Sequence, residues 1–288
     1  MSKQRSQYRR YTRTKAGNVF YFAILFMAGA FSVLPLIYCV VTSFKPLDEL
    51  LAFPPKFFVR RPTWANYLAL PSLLSNLQVP MSRYVFNSLF VAIGSTILHI
   101  IAASLAAFAF SKSQLKHKKL LFMLVQIMML YSSYTLSVPQ YLIFSNLKMI
   151  DTYWVYILPA IPSAMGCFLM KQFMDVGIPG ALLEAARIDG AGVLRIYWQI
   201  VMPMVKPAWM TLALFSFRDM WSIIPSGTIF SEELKTLPQV MSSITQSGIA
   251  RTGSAMAVTV ILMIPPIIVF AFSQSSVMET MSSSGIKE

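Results

Sequence analysis

Two stretches of the chain, 18–44 and 84–111, contain no Asp, Glu, Lys or Arg. A bilayer hydrocarbon core about 30 Å thick needs roughly 20 apolar helical residues to cross it, and both stretches are long enough. Within lipid, every backbone amide must find its partner inside its own segment, which selects helices. The composition agrees: 56% of residues are hydrophobic and 12% are charged, against about 25% charged in a soluble domain. An all-α polytopic membrane protein is therefore expected.

The net charge of +13 invites a nucleic-acid reading, which its distribution rejects. The basic residues cluster at the ends of apolar segments, as topology signals do. Cys39 and Cys167 lie inside apolar runs and read as packing residues, with no disulfide framework. The apolar run after the basic start is too long for a signal peptide and lacks a small-residue cleavage site, so a retained first span is expected.

Six spans are expected, at 18–44, 84–111, 119–144, 152–173, 207–225 and 255–273. An even number puts both termini on one side. Lys3, Arg5, Arg9, Arg10, Arg13 and Lys15 precede the first span, and Lys112, Lys116, Lys118 and Lys119 separate the second from the third. Lys171 stands at the end of the fourth, and Arg187, Arg195 and Lys206 follow it. The other side carries Lys45, Lys56, Arg60, Arg61, Arg83, Lys148, Lys235 and Arg251, more thinly spread. The excess places both termini in the cytoplasm. The domain plan is a basic cytoplasmic segment 1–17, a transmembrane domain 18–275 and a cytoplasmic tail 276–288.

Two connections are large. Segment 45–83 should lie outside, and Pro46, Pro54, Pro55, Pro62 and Pro71 favour an extended, turn-rich form. Segment 175–206 should lie inside and reads as helix, turn, helix. Pro179 suits a helix start, 181–189 is rich in helix formers, and Gly190 and Gly192 are stop signals. The second helical stretch, 193–202, should end at Pro203. Prolines Pro139, Pro159 and Pro265 should kink their spans. Ala102, Ala103, Ala106 and Ala107 are small residues at helical spacing, suited to close helix packing.

Catalytic chemistry is not legible. No phosphate-binding Gly-x-x-x-x-Gly-Lys-Ser/Thr loop and no metal-ligand spacing occurs. His99 reads as a hydrogen-bonded interior residue and His117 as solvated. The informative segment is Glu184-Ala185-Ala186-Arg187-Ile188-Asp189-Gly190, with Ile200, Met202 and Pro203 beyond it. On elementary grounds it is a short helix with a tight glycine turn. Either it is an amphipathic connector at the lipid surface, with a Glu184–Arg187 i,i+3 pair worth about 0.2–0.5 kcal/mol, or it is a docking lever.

Its spacing resembles the signature loop of the permease subunits of binding-protein-dependent ABC importers: Glu-Ala-Ala, three residues, Gly, nine residues, Ile, one residue, Leu-Pro. Met202 stands in the leucine position, a tolerated change of apolar shape. Phe86-Asn87-Ser88-Leu89, Ala106-Ala107-Phe108-Ala109-Phe110, Asp151-Thr152-Tyr153-Trp154, the stretch 168–173 and Gly285-Ile286-Lys287 resemble the carbohydrate-uptake, maltose-permease-type branch. One departure is that Trp221 is followed by Ser222, where that branch usually has asparagine.

The resemblance implies the type I importer fold and a transport role without catalysis by this chain. It implies a second, similar permease, two ATPase subunits that hold ATP and Mg²⁺, and an extracytoplasmic solute-binding protein delivering a sugar or oligosaccharide. It makes Glu184, Ala185, Ala186, Asp189, Gly190, Ile200 and Pro203 the ATPase-coupling residues, with no cofactor on this chain. The tail at 282–288 is a further ATPase contact in this reading.

The candidate substrate pathway lies in spans three to five. Arg218 and Asp219 sit about eleven residues into span five, roughly 16 Å deep, where a charge costs at least about 2.5–3.5 kcal/mol. Two roles fit them: hydrogen bonding to a solute in the pathway, or a structural pair tying span five to the partner subunit. Tyr131, Tyr134 and Trp221 are the aromatic candidates, since sugar sites pair ring faces with polar groups. Trp154 and Tyr153, beside a span end, suit an interfacial belt. A gradient-driven transporter would need more intramembrane carboxylates than Asp219 and an internal repeat. A non-sugar solute is the remaining alternative within the importer class.

Overall fold

The computed structural model describes residues 15–75, 79–113, 115–131, 133–225, 227–245 and 251–285. Residues 1–14 and 286–288, which carry most of the basic start and the last tail residues, lie outside that set. The regular structure of the described residues is helical, with no strand among them.

Helix α1 (Lys15–Ser43) is the first expected span and α4 (Met81–Lys112) the second. The third run divides into α5 (Lys118–Met128) and α6 (Ser133–Asn146). The fourth divides into α7 (Trp154–Ala160) and α8 (Ala164–Gly177). The fifth is α12 (Lys206–Trp221) and the sixth α14 (Thr252–Gly285). By length and apolarity α1, α4, the α7–α8 unit and α14 can each cross a membrane, and α12 joins them if it is taken with the helix bent 81° before it. The α5–α6 unit differs from the expected continuous span because its chain breaks between Met128 and Ser133.

The break in the fourth run has a visible cause. Pro159 and Pro162 remove two backbone donors, and the chain leaves the helix at 161–163. His99 of α4 then takes up the Ala160 carbonyl through Nδ1 at 2.7 Å, as its reading as an interior residue required. Ser163 caps α8 by accepting from the Gly166 N–H at 2.8 Å.

Helix α4 is the centre of the bundle, packed by α8 and α12, with α7 beside them. Ala103 and Ala107, one turn apart, are buried against Met170 and Met174 of α8, so small residues let these two axes approach closely. Helix α14 lies against α12 and carries α1 on its outer side. The surface of α1 is apolar and exposed.

The first long connection departs from the turn-rich expectation. After the short α2 (Leu47–Leu50), residues 65–75 form α3 (Ala65–Ser75) with Pro71 inside it. Buried Leu70 explains why: Tyr67, Leu70 and Leu73 pack against α14 and against α13 (Leu237–Thr245), a helix the sequence analysis did not anticipate.

The bundle has two distinct ends. At one, Lys112 Nζ donates to the Ile178 carbonyl at 2.8 Å, and Asp175 accepts from Ser111 and Lys171, both at 2.5 Å. This end carries segment 178–205. At the other, the chain between α12 and α13 folds back over the starts of α4 and α7. Asn87 Nδ2 donates to the Glu233 and Lys235 carbonyls at 2.7 and 2.9 Å while its Oδ1 accepts from Tyr153. Ser88 Oγ accepts from the Leu237 N–H at 2.7 Å. Asp151, in left-handed conformation (φ 62°), accepts from the Phe230 and Ser231 N–H groups at 3.0 and 2.9 Å and from the Ser231 hydroxyl.

Candidate functional site

Segment 178–205 forms a layer across the α4–α8 end. Helix α9 (Gly180–Ile188) turns Leu183 and Ala186, three residues apart, into the core beside Met174 and Ile178. Pro179 is its N-cap, one position earlier than a first-turn proline. The opposite face shows Glu184, Ala185 and Arg187 to the outside. The two alanines thus part company: Ala185 is exposed, whereas Ala186 is small because α9 lies against the chain's own core. Glu184 and Arg187 form no ion pair among the described residues, so the surface-pair alternative has no bond behind it.

The helix ends in a Schellman motif. The Ala191 N–H reaches the Ala186 carbonyl at 2.9 Å and the Gly190 N–H reaches the Arg187 carbonyl at 3.0 Å. Gly190 stands at φ 77°, a conformation that an L side chain adopts only with strain. Asp189, the preceding cap residue, is exposed and donates its own N–H to the Ala185 carbonyl at 3.0 Å.

After Gly192 the chain continues as α10 (Val193–Ile196), a π-turn over Tyr197–Val201, and α11 (Met202–Met204). The helix does not stop at Pro203 as expected. It widens instead: the Met202 N–H bonds to the Tyr197 carbonyl, five residues back, and the wider turn accommodates Pro203, which has no N–H to donate. Ile200 packs half-buried on the core and Pro203 faces outward. Tyr197 is locked by its hydroxyl to Ser104 at 2.6 Å. An 81° bend at Val205 then leads into α12, and Trp209 Nε1 braces the corner by donating to the Met202 carbonyl at 3.1 Å. The layer leaves large apolar side chains outside: Ile188 is 86% exposed, Leu194 69% and Trp198 53%. Glu184 and Asp189 are exposed on the same layer, so its apolar surface also carries carboxylates.

Helix α12 runs from this corner to the second candidate site. Phe215, Arg218, Asp219 and Ser222 are its exposed residues along one face. Arg218 Nε and Nη2 donate to Asp219 Oδ1 at 3.1 and 2.9 Å, and more than half of each side chain is open. Neighbours on a helix diverge by about 100°, so their direct pairing was not legible in the sequence; the long guanidinium arm closes the gap. Trp221 is different. It is 3% exposed, and its indole N–H donates to the Leu262 carbonyl of α14 at 2.9 Å. Its ring therefore stacks within the α12–α14 contact beside Phe217 instead of offering a free face, although its edge lines a cleft of about 500 Å³ with Ser222, Met241 and Thr259. Tyr131 is 63% exposed at the α5–α6 break. The side chain of Tyr134 lies outside the described residues.

The structural role of the motif residues at the other end was not legible in the sequence. Asn87, Ser88 and Asp151 carried only the resemblance, and Tyr153 an interfacial-belt reading beside it; together they hold one loop, 228–237, Tyr153 by donating to Asn87. The signal available was their type: a lone Asn at a span start and an Asp before an aromatic pair, each able to bind backbone.

The chain-long likeness of the sequence is to one class, the membrane-spanning permease subunits of ABC importers, and the fold agrees with it. No protein-family model matches the chain. It is 29% identical over 270 residues, 88% of this chain and 92% of the relative, to the polygalacturonan/rhamnogalacturonan transport system permease protein YtcP of Bacillus subtilis (strain 168). It is 29% identical over 205 residues, 70% of this chain and 73% of the relative, to the sn-glycerol-3-phosphate transport system permease protein UgpE of Yersinia enterocolitica. Among solved structures, a bacterial ABC transporter involved in import of the acidic polysaccharide alginate matches with TM-score 0.75 and 19% identity, covering 91% of this chain and 98% of that one. The last likeness gives the fold. The chain is accordingly a multi-pass membrane permease, a transport subunit.

Proposed function

We propose that the chain, with a second similar permease, forms the pathway by which a sugar or oligosaccharide enters the cell. Two cytoplasmic ATPases holding ATP and Mg²⁺ drive it, and an extracytoplasmic binding protein supplies the solute. Both termini are cytoplasmic, segment 45–83 is outside and segment 175–206 is inside, as the basic residues favour. The carrying observation is the layer 178–205: an exposed carboxylate and apolar residues on a helix fixed by Gly190, joined through a braced corner to the helix that bears Arg218 and Asp219. A rigid lever at that corner transmits ATPase closure into α12. ATP shifts the equilibrium only by binding the two states differently.

The test is uptake by the reconstituted importer. Glu184→Lys and Gly190→Trp should insert and assemble normally yet abolish transport. Full uptake by both variants would end the docking reading. Removal of residues 282–288 should weaken the coupling of ATP hydrolysis to uptake; unchanged coupling would dispose of the tail contact. A non-sugar solute is favoured by one observation, the likeness to a glycerol-phosphate permease. Competition of uptake by oligosaccharides and by glycerol phosphate separates the two.

A further inference from the structure

Segment 45–61 folds back on the last turn of α1. Phe57 lies against Tyr38 with ring centroids 5.7 Å apart, and the Lys45 ammonium sits 5.6 Å from the same Tyr38 ring. The segment is fixed from within. Glu49 accepts the Arg60 and Arg61 N–H groups at 3.0 and 2.9 Å, Lys45 Nζ donates to the Lys56 carbonyl, and Arg61 pairs with Asp48. These contacts enclose a pocket of about 360 Å³. Four cations, Lys45, Lys56, Arg60 and Arg61, line it against the two carboxylates of Asp48 and Glu49. Lys45 is 3% exposed and forms the floor, while Lys56, Arg60 and Arg61 stand in the open.

The same segment turns large apolar side chains outward: Phe53 is 94% exposed, Phe58 72% and Leu51 57%. An excess of cations beside bare phenylalanines is a poor surface for water alone. It suits the boundary between hydrocarbon and headgroups, where rings enter the acyl layer and arginine forks meet phosphate oxygens. The segment is at that boundary, because it directly follows α1, a spanning helix with no buried residue in its apolar window.

We propose that segment 45–61 is an interfacial anchor whose pocket binds the headgroup phosphate of an anionic phospholipid. Asp48 and Glu49 offset two of the four cations, and the two positive charges left over exceed the single negative charge of a phosphodiester. Lipid bound there holds the outer end of α1 in register with the membrane during the transport cycle.

The experiment is native mass spectrometry of the assembled importer, titrated separately with phosphatidylglycerol, phosphatidylcholine and glycerol 1-phosphate. The wild type should take up phosphatidylglycerol saturably and in preference to phosphatidylcholine, with affinity falling as salt rises. The triple variant Lys56→Gln, Arg60→Gln, Arg61→Gln should lose about tenfold or more in that affinity. Phe53→Ser with Phe58→Ser should weaken phosphatidylglycerol while leaving glycerol phosphate unchanged. Equal binding of both phospholipids by the wild type, or of phosphatidylglycerol by wild type and triple variant, would overturn the proposal. So would glycerol phosphate binding as tightly as the lipid, which makes the pocket a soluble-anion site. Loss of binding-protein stimulation with unaltered lipid uptake would assign the cations to protein docking instead.

Discussion

Gly190 and Asp151 both sit in left-handed backbone, at φ 77° and φ 62°, and chemistry separates them. Gly190 has no Cβ to clash, so Gly190→Ala costs roughly 1–2 kcal/mol at that position, enough to fray the end of α9. Gly190→Asn should cost less, since asparagine tolerates the conformation. Uptake by the reconstituted importer should rank wild type, Asn, Ala, with expression unchanged. Asp151 is tolerated there because it is aspartate, and its carboxylate clamps loop 228–231. The Ser231 hydroxyl, and then the Ser231 and Phe230 N–H groups, hold its pKa below the ordinary 3.8, against the opposing pull of burial. A depressed acid stabilises above its unfolded pKa and loses that contribution as pH falls through its folded pKa. Asp151→Asn should therefore melt below wild type near neutral pH, and the two should converge as pH drops below about 3.8. Thermal unfolding in detergent across that range checks the sign. The sequence marked Gly190 plainly, because a glycine after helix formers has one common use. It marked Asp151 only by resemblance, because its partners lie 79 and 80 residues away.

Elements were legible where one property decided them and obscure where two competed. The uncharged runs of α1, α4 and α14 gave their helices directly. The third and fourth runs have the same apolarity, but a proline pair at 159 and 162 breaks one of them, and periodicity does not report how a buried carbonyl such as that of Ala160 will be satisfied. Helix α3 was hidden by Pro71, and its docking depends on contacts from distant chain. Gly253 opens α14 so close to α3 that an added Cβ would lie 2.5–2.7 Å from the Asn66 amide. That amide cannot swing aside freely, because its Nδ2 donates to the Ser43 and Lys45 carbonyls, both at 2.8 Å. Gly253→Ala should therefore cost about 1–3 kcal/mol, the range for leaving buried polar groups unsatisfied. Asn66→Ala removes the obstacle along with the bonds. The double variant should then be no less stable than Asn66→Ala alone, a non-additivity that thermal unfolding of the three variants would reveal.

Taken as a whole, the molecule has one end built of backbone-clamping polar residues and another built of a protruding layer, with α12 rising from the layer through the 81° corner. The only ion pair on α12 among the described residues is Arg218–Asp219, and both side chains are more than half open. On a helix in a bilayer, an open pair has three possible neighbours: lipid, the partner subunit, or a water-filled path. Lipid is disfavoured, because a charge at mid-depth costs at least about 2.5–3.5 kcal/mol, and the same face carries Ser222. The partner and the path are distinguished by what fails first. If the pair ties two permeases together, Arg218→Met leaves Asp219 unpaired at an interface and the complex falls apart. If it lines the path, the complex survives while the solute loses the fork that bound it. The open rim of the pair and its place on the helix that rises from the braced corner favour the path. Arg218→Met should assemble at wild-type yield, keep its ATPase activity, and import at least about tenfold more slowly, a difference of about 1.4 kcal/mol or more in the transport barrier. Arg218→Lys keeps the charge but not the planar fork, and should fall between. Failure of Arg218→Met to co-purify with its partner would assign the pair to the interface.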